Sequence, residues 1–477
     1  MAYAEKVFEF FEKLCSVPHG SGNIWQISNL CCEFAKERGL KFIQDKIGNV
    51  IIYKGGSSGY ENSEPVIIQG HMDMVTVKSG DCDIDLESEG LRLKSDNEYL
   101  WAEGTSLGAD DGIALAMAMA VLDSKDIPHP PIEAIFTVNE ETCMDGAEFI
   151  DLSEIKGRRM INIDSEDEGI ITVGCAGGIR VYGSFDLNAG DAELCYGKIC
   201  IGGLTGGHSG SEIHKGRANA ICLMGRLLHE INRTSEIRLI SANGGEKDNA
   251  IANSCYADIA YAKADCEKIE AVCKKCNAVF QNECHTTDPN LIVSFENRGV
   301  GKVFAASKVA TDNIIFTLFH APNGVQVMSS DIEGLVQTSL NFGVLETSGE
   351  SIKMTFCLRS SVGTQKLMLT DVLTSLIEKC GGTATTGGDY PAWEYAESSA
   401  LRDTAVKEFE AQYGRKPKIS VIHAGLECGL FSDKLKGLDC ISIGPDILDI
   451  HTVNEKLDIA STQRTWELLL NVLKALK

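Results

Sequence analysis

Between residues 27 and 164 the sequence alternates helical stretches with short, nearly continuous apolar runs. Extended segments are predicted at 41–44, 50–53, 66–69, 132–138 and 160–163, with helices at 27–38 and 112–122, the latter rich in Ala and Met. A strand wetted on one side alternates apolar and polar residues, whereas a continuous apolar run needs cover on both faces. The pattern therefore predicts an α/β fold, a mixed sheet flanked by helices. Val7, Phe8, Phe11 and Leu14 repeat at helical spacing and add an N-terminal helix.

The middle of the chain reads differently. Strands at 198–201 and 255–262 flank helices at 216–231 and 267–282. A second set follows, with a strand at 291–295, a helix near 312–319, a hairpin-like pair at 334–345 and 351–358, and a helix at 367–379. This is an α+β pattern. The last ninety or so residues return to α/β, with strands at 419–422 and 440–443 and a helix at 462–476. For 477 residues, the economical organisation is a catalytic domain of residues 1–180 and 389–477 interrupted by an inserted domain of residues 181–388.

Composition mainly excludes. The formal net charge of −24 repels polyanions, which argues against nucleic acid or an anionic membrane as partner. Glu5, Lys6, Glu9 and Glu12 interrupt the apolar residues at the start, so no signal peptide or membrane span is read there and a cytoplasmic location is expected. Many of the 18 cysteines lie inside apolar runs, as buried reduced thiols do. Cys273-Lys-Lys-Cys276 has no second ligand pair near it and is not read as a zinc knuckle.

Acidic residues and histidines collect where strands end or helices begin, which is where an open α/β sheet places its ligands. Gln69-Gly-His71-Met-Asp73 follows one strand, and Gly104-Thr-Ser-Leu-Gly-Ala-Asp110-Asp111-Gly opens a helix. Asn139-Glu140-Glu141 and Asp164-Ser-Glu166 follow two more strands, and Asp449-Ile-His451 to Glu455 lies near the C-terminus. Two imidazoles and three carboxylates suit a pair of borderline divalent ions, zinc above all. In Glu140-Glu141 one carboxylate can bind metal while the other takes a proton from water. Asp73 can hydrogen-bond a ligand histidine. Taken singly, each piece also reads as an ordinary turn, cap or structural histidine, and spacing alone shows no proximity.

Beyond these residues, several stretches resemble the aminoacyl-histidine dipeptidases of the cocatalytic zinc exopeptidase group. They are Gln69-Gly-His-Met-Asp-Met, Gly104-Thr-Ser-Leu-Gly-Ala-Asp-Asp-Gly, Glu140-Glu-Thr-Cys-Met-Asp-Gly-Ala147, Asn162-Ile-Asp-Ser-Glu166, Gly206-Gly-His-Ser-Gly210 and His423-Ala-Gly-Leu-Glu-Cys-Gly429. The resemblance spans nearly the whole chain. It implies hydrolysis of dipeptides, Xaa-His and carnosine-like substrates included, with tripeptides or N-acyl-amino acids as the alternative and an inactive scaffold as the remote one. It implies two zinc ions, replaceable by cobalt or manganese. Asp110 would bridge them, with His71 and Asp164 on one ion and Glu141 and His451 on the other. Glu140 would be the general base and Asp73 the residue orienting His71. The insert would be a lid that also forms a homodimer contact. His208 would be an oxyanion donor, Asn249 and Arg359 substrate contacts, and Gly425 a backbone position lining the pocket. Two departures stand out: Cys143 replaces a small residue, and Asp111 stands where Asn is common, adding a negative charge that could tune metal affinity.

Overall fold

A computed structural model describes residues 2–477. The chain divides into two compact units. The first comprises the residues up to Cys175 with Tyr395–Val421 and Leu426–Lys477; the second comprises Ala176–Glu394 with Ile422–Gly425.

The first unit is built on an eight-stranded mixed sheet. Its strands are β1 (Lys41–Gln44), β2 (Val50–Lys54), β3 (Val66–His71), β4 (Ile132–Thr137), β5 (Arg159–Asn162), β6 (Ile170–Cys175), β7 (Lys418–Ile422) and β8 (Asp439–Ser442), in the order β1-β2-β4-β3-β5-β8-β6-β7. β4, β3, β5 and β8 run parallel, while β1, β2 and β6 pair antiparallel. Every residue of β3 and β4 is buried, which is what their nearly continuous apolar runs require. The helix Ala109–Asp123 is buried from Ala109 to Leu122, and the N-terminal helix Ala2–Cys15 packs on it. A small four-stranded sheet joins Leu93–Ser95, Tyr99–Ala102, Ile447–Leu448 and Lys456–Asp458, so the loop carrying His451 is anchored on both sides.

The second unit is an antiparallel sheet whose long strands include Gly177–Asp186, Gly190–Gly202, Ile292–Ala305, Val336–Ser348 and Ser351–Ser360. The helices Ala220–Asn232, Cys266–Glu283, Lys308–His320 and Gly363–Lys379 supply residues to its apolar core. Units divide at 175/176 and 394/395, a few residues from the expected 180/181 and 388/389. The reason is that Gly177–Ser184 already pairs with Ser351–Ser360 or with Thr383–Tyr390. Ile422–Gly425 joins this unit because the Ala176 amide donates to the carbonyls of Ile422 and Ala424.

Cys273 and Cys276 are buried free thiols on one helix. No helix among the described residues is long and apolar enough to cross a membrane.

Candidate metal centre

Strand register brings the acidic motifs together. Gln69 of β3 pairs with Asn162 of β5, and His71 pairs with Thr137 of β4, so β3 and β4 end level and β5 ends two residues short of them. The chain leaving them carries Glu140, Glu141 and Asp164 to the same edge as His71. Gly70 is required there: a Cβ would sit 2.5 Å from Asp111 Oδ2 and 2.6 Å from Ala114 Cβ. Only glycine lets β3 pass so close to the helix start that presents Asp110.

Asp110 faces two imidazoles with its two oxygens. Oδ1 lies 3.2 Å from His71 Nε2, and Oδ2 lies 3.1 Å from His451 Nε2. His71 Nε2 is also 3.8 Å from Asp164 Oδ1, and His451 Nε2 is 2.9 Å from Glu141 Oε1. Two clusters result, His71–Asp110–Asp164 and Asp110–Glu141–His451; Glu140 and Glu141 also approach His71. His71 Nδ1 donates to the carbonyl of Asp73 at 2.9 Å, which in the neutral ring leaves a lone pair on Nε2, aimed at carboxylate oxygens. Asp164 Oδ2 is buried with no hydrogen-bond partner among the described residues. Lone pairs converging on lone pairs need cations between them, so the donor set fits a pair of divalent ions.

Electrostatics agree. Burial works against charge on Asp110, but His451 and His71 outweigh it and hold the carboxyl well below its ordinary range. Contacts with Asp110 and Glu141 raise His451 to about 10. Burial opposes a charged His71 as well, yet Asp110 and Asp73 lift it well above its usual value. Protons thus stand where ions would, held by the same groups. Glu140 is pushed up to about 8, first by burial and then by Glu427, Glu141 and Asp110, with His71 opposing.

The supporting groups differ in part from expectation. Asp73 orients His71 through its backbone carbonyl, while its carboxylate stands 3.6 Å from Nδ1. That carboxylate instead accepts from Ser21 Oγ at 2.7 Å and from the Glu140 amide at 3.0 Å. Asp111 does not act as an extra free charge. It is buried, accepts the His71 backbone N–H at 3.2 Å, and burial drives its carboxyl well above the carboxylate range, favouring the neutral acid. Cys143 is exposed. Two further carboxyls matter that sequence reasoning quoted without a role. Glu455 accepts from the amides of Leu107, Gly108 and Ala109 at 2.8–3.1 Å, clamping the loop that presents Asp110. Glu427 accepts from Gln69 and Thr137, both at 2.6 Å.

The remaining residues singled out from sequence lie in the second unit. His208 and Asn249 are brought side by side by pairing of Gly207–His208 with Ala250–Ile251. The Ser209 amide donates to the carbonyl of Asn249 at 2.8 Å. Amides of Gly210 and Ser211 donate to His208 Nδ1 at 3.3 and 3.1 Å, so the ring proton sits on Nε2 as a donor. Burial, then Arg359, lowers the pKa of His208 and keeps the ring neutral. Arg359 Nη1 donates to the Tyr390 hydroxyl at 3.1 Å, while its buried Nε has no partner among the described residues. A Cβ on Gly425 would lie 2.9 Å from the Tyr390 ring. His423 Nε2 lies 2.7 Å from Ser339 Oγ, and burial followed by Arg359 lowers its pKa to about 3. Tyr390 and His423 were not assigned roles from sequence; Tyr390 carries no motif, and His423 sits inside one that was quoted.

Parallel strand ends that carry His71, Glu141 and Asp164 up to Asp110 and His451, two imidazoles and two further carboxylates around one shared carboxylate, define a metal-dependent hydrolase. The chain belongs to peptidase family M20/M25/M40, whose sequence profile matches residues 67–475. It is 35% identical over 473 residues to the cytosol non-specific dipeptidase of Escherichia coli (strain K12), covering 98% of this chain and 97% of that protein. It matches the aminoacylhistidine dipeptidase from Vibrio alginolyticus with a TM-score of 0.92 and 34% identity, over 98% of this chain and 96% of that one. The aminopeptidase PepT from Bacillus cereus shares the fold, with a TM-score of 0.57 and 17% identity over 99% and 98% of the two chains.

Proposed function

We propose that this chain is a two-metal dipeptidase acting on short peptides of the Xaa-His type, carnosine-like substrates included. The observation that carries the reading is Asp110, whose two oxygens each face a different imidazole. Identity of 35% to a non-specific dipeptidase along nearly the whole chain supports it. In this assignment Asp110 would be shared by the two ions, His71 and Asp164 would hold one, and Glu141 and His451 would hold the other. Zinc suits the ligands, and cobalt or manganese would be accepted by the same set. Such ions, when bound, supply Lewis acidity at the peptide carbonyl and lower the pKa of water.

Glu140 is left unligated and takes a proton from the attacking water, then returns it to the leaving amine. Asp73 fixes Glu140 by its amide and His71 by its ring. His208 Nε2–H donates to the carbonyl oxygen as that atom gains charge. Arg359 presents its unpaired Nε–H to the free carboxylate of the dipeptide, and a guanidinium is well matched to that group. Asn249 and Gly425 line the substrate's surroundings. The chain works in the cytoplasm as a homodimer formed through the inserted unit; the name of its cytosolic relative supports the location.

A dipeptide panel on zinc-replete protein, read by amine release, tests the reading. Dipeptides ending in histidine are expected to be cleaved faster than tripeptides or acetyl-amino acids. Preference for either of the latter would overturn the substrate assignment.

A further inference from the structure

Glu427 belongs to no ligand set, yet its residue is 0% exposed. It opens the helix Glu427–Lys434, and its carboxylate reaches the ends of two central strands, β3 and β4. Oε2 accepts from Gln69 Nε2 and from Thr137 Oγ1, each at 2.6 Å. Gln69 in turn accepts from Asn162 Nδ2 at 2.7 Å, and Asn162 accepts from the Asp164 amide at 3.4 Å. Gln69, Thr137 and Asn162 are all buried. His71 lies two residues beyond Gln69, Glu140 three beyond Thr137, and Asp164 two beyond Asn162. The β3–β5 ladder ends at Gln69 opposite Asn162 and the β3–β4 ladder at His71 opposite Thr137. One more backbone bond closes each, from the Ile163 amide to Gln69 and from the Met72 amide to Thr137, and Glu140 and Asp164 lie past that pairing. The side-chain chain through Glu427 ties the strand ends together where that pairing stops.

We propose that Glu427 is the positioning residue of the metal centre, clamping the ends of β3 and β4 and, through Gln69, β5, so that His71, Glu140 and Asp164 keep the spacing two ions require. The inference rests on the cluster being a metal centre. It differs from an ordinary buried polar plug in what it controls: the plug would affect folding stability alone, whereas the clamp sets ligand geometry. Oε1 has no partner among the described residues. A glutamine can therefore place its amide nitrogen on that side and keep one oxygen for both accepted bonds.

The test uses full-length zinc-replete protein. Zinc affinity is measured by competition with a chelating dye, and kcat and KM are measured on a dipeptide. Glu427→Ala is expected to weaken zinc binding on the order of 10–100-fold, the range for outer-shell partners of ligands, and to lower kcat at saturating zinc with KM unchanged. Thr137→Val should show a smaller loss of the same kind, and Glu427→Gln should stay close to the parent. Unchanged zinc affinity and kcat in Glu427→Ala, even with a lower melting temperature, would overturn the clamp. So would Glu427→Gln failing as badly as Glu427→Ala. If Glu427→Ala does not fold, Thr137→Val decides, and parental zinc affinity there refutes the proposal. A parent protein holding less than about one zinc per chain would instead refute the metal centre itself, and is read before any variant.

Discussion

The two units solve opposite electrostatic problems. In the first, carboxylates crowd two imidazoles, and among the described residues no lysine or arginine is ion-paired with Asp73, Asp110, Glu141 or Asp164. In the second, Arg359 stands among neutral donors, with His208 and His423 both kept uncharged by burial and by that same guanidinium. A buried charge is tolerated only when it is paired or awaits a partner. The first cluster therefore calls for cations and the second for an anion.

The sharpest way to break this division is Glu140→Gln. If Glu140 is the base and not a ligand, kcat should fall on the order of 10²–10⁴-fold while zinc content stays at the parental level, measured by metal analysis. Loss of zinc with activity would show that Glu140 belongs to the cation-holding set. Next in size is Arg359→Ala. Loss of a charged hydrogen-bond donor costs about 1.5–3 kcal/mol, so KM for dipeptides should rise roughly 10–150-fold with kcat little changed. A dipeptide whose C-terminus is amidated should show no such difference between parent and variant. If it does, the guanidinium is not reading the carboxylate.

How much of this contrast was legible beforehand differs between the units for a physical reason. β3, β4 and β5 are covered on both faces, so their apolar runs are nearly continuous and read plainly. The ligands follow at fixed short distances from strand ends, which made His71, Glu141 and Asp164 candidates and left proximity to the register. In the second unit, strand Gly177–Asp186 is buried on alternate positions and broken by Gly177, Gly178 and Gly183, so its period-2 signal was missed. Of Gly190–Gly202 only the stretch 198–201 was readable. In the first unit the helix Ala400–Tyr413 was missed as well, because its buried apolar stripe is little more than Leu401, Ala405 and Phe409 among charged residues. Glu427 and Glu455 could be quoted from motifs, but nothing in sequence says that a carboxylate is fully enclosed. Tyr390 had no signal at all.

The contrast also predicts opposite pH responses of stability. His423 has its folded pKa depressed to about 3 by burial and Arg359. Between there and the ordinary histidine value the unfolded chain binds the extra proton, so stability present near neutrality is lost as pH falls. Glu427 is raised to about 7, first by burial. Its contribution is present below the ordinary glutamate range and is lost as pH rises toward 7. Each slope is at most about 1.4 kcal/mol per pH unit. Denaturant unfolding of metal-free protein checks this: His423→Asn should flatten the acid limb, and Glu427→Gln the fall in stability as pH rises toward 7. Both variants altering the same limb would refute the division.

The smallest expected effect is the most discriminating. Tyr390 accepts one Arg359 N–H, and its ring lies close against the backbone at Gly178 and Gly425, where added Cβ atoms would come within 2.5 and 2.9 Å of it. That packing holds the hydroxyl, and the hydroxyl holds the guanidinium so that Nε faces away unpaired. Tyr390→Phe keeps the ring and removes only the hydrogen bond, a change of about 0.5–1.5 kcal/mol. KM should therefore rise a few-fold, to about tenfold at most, with kcat and zinc content unchanged. If the Arg359 side chain is merely structural, Tyr390→Phe will lower the melting temperature without moving KM. If the hydroxyl instead contacts the reacting carbonyl, kcat will fall, and the donor cluster of the second unit must then be counted with the chemistry and not only with binding.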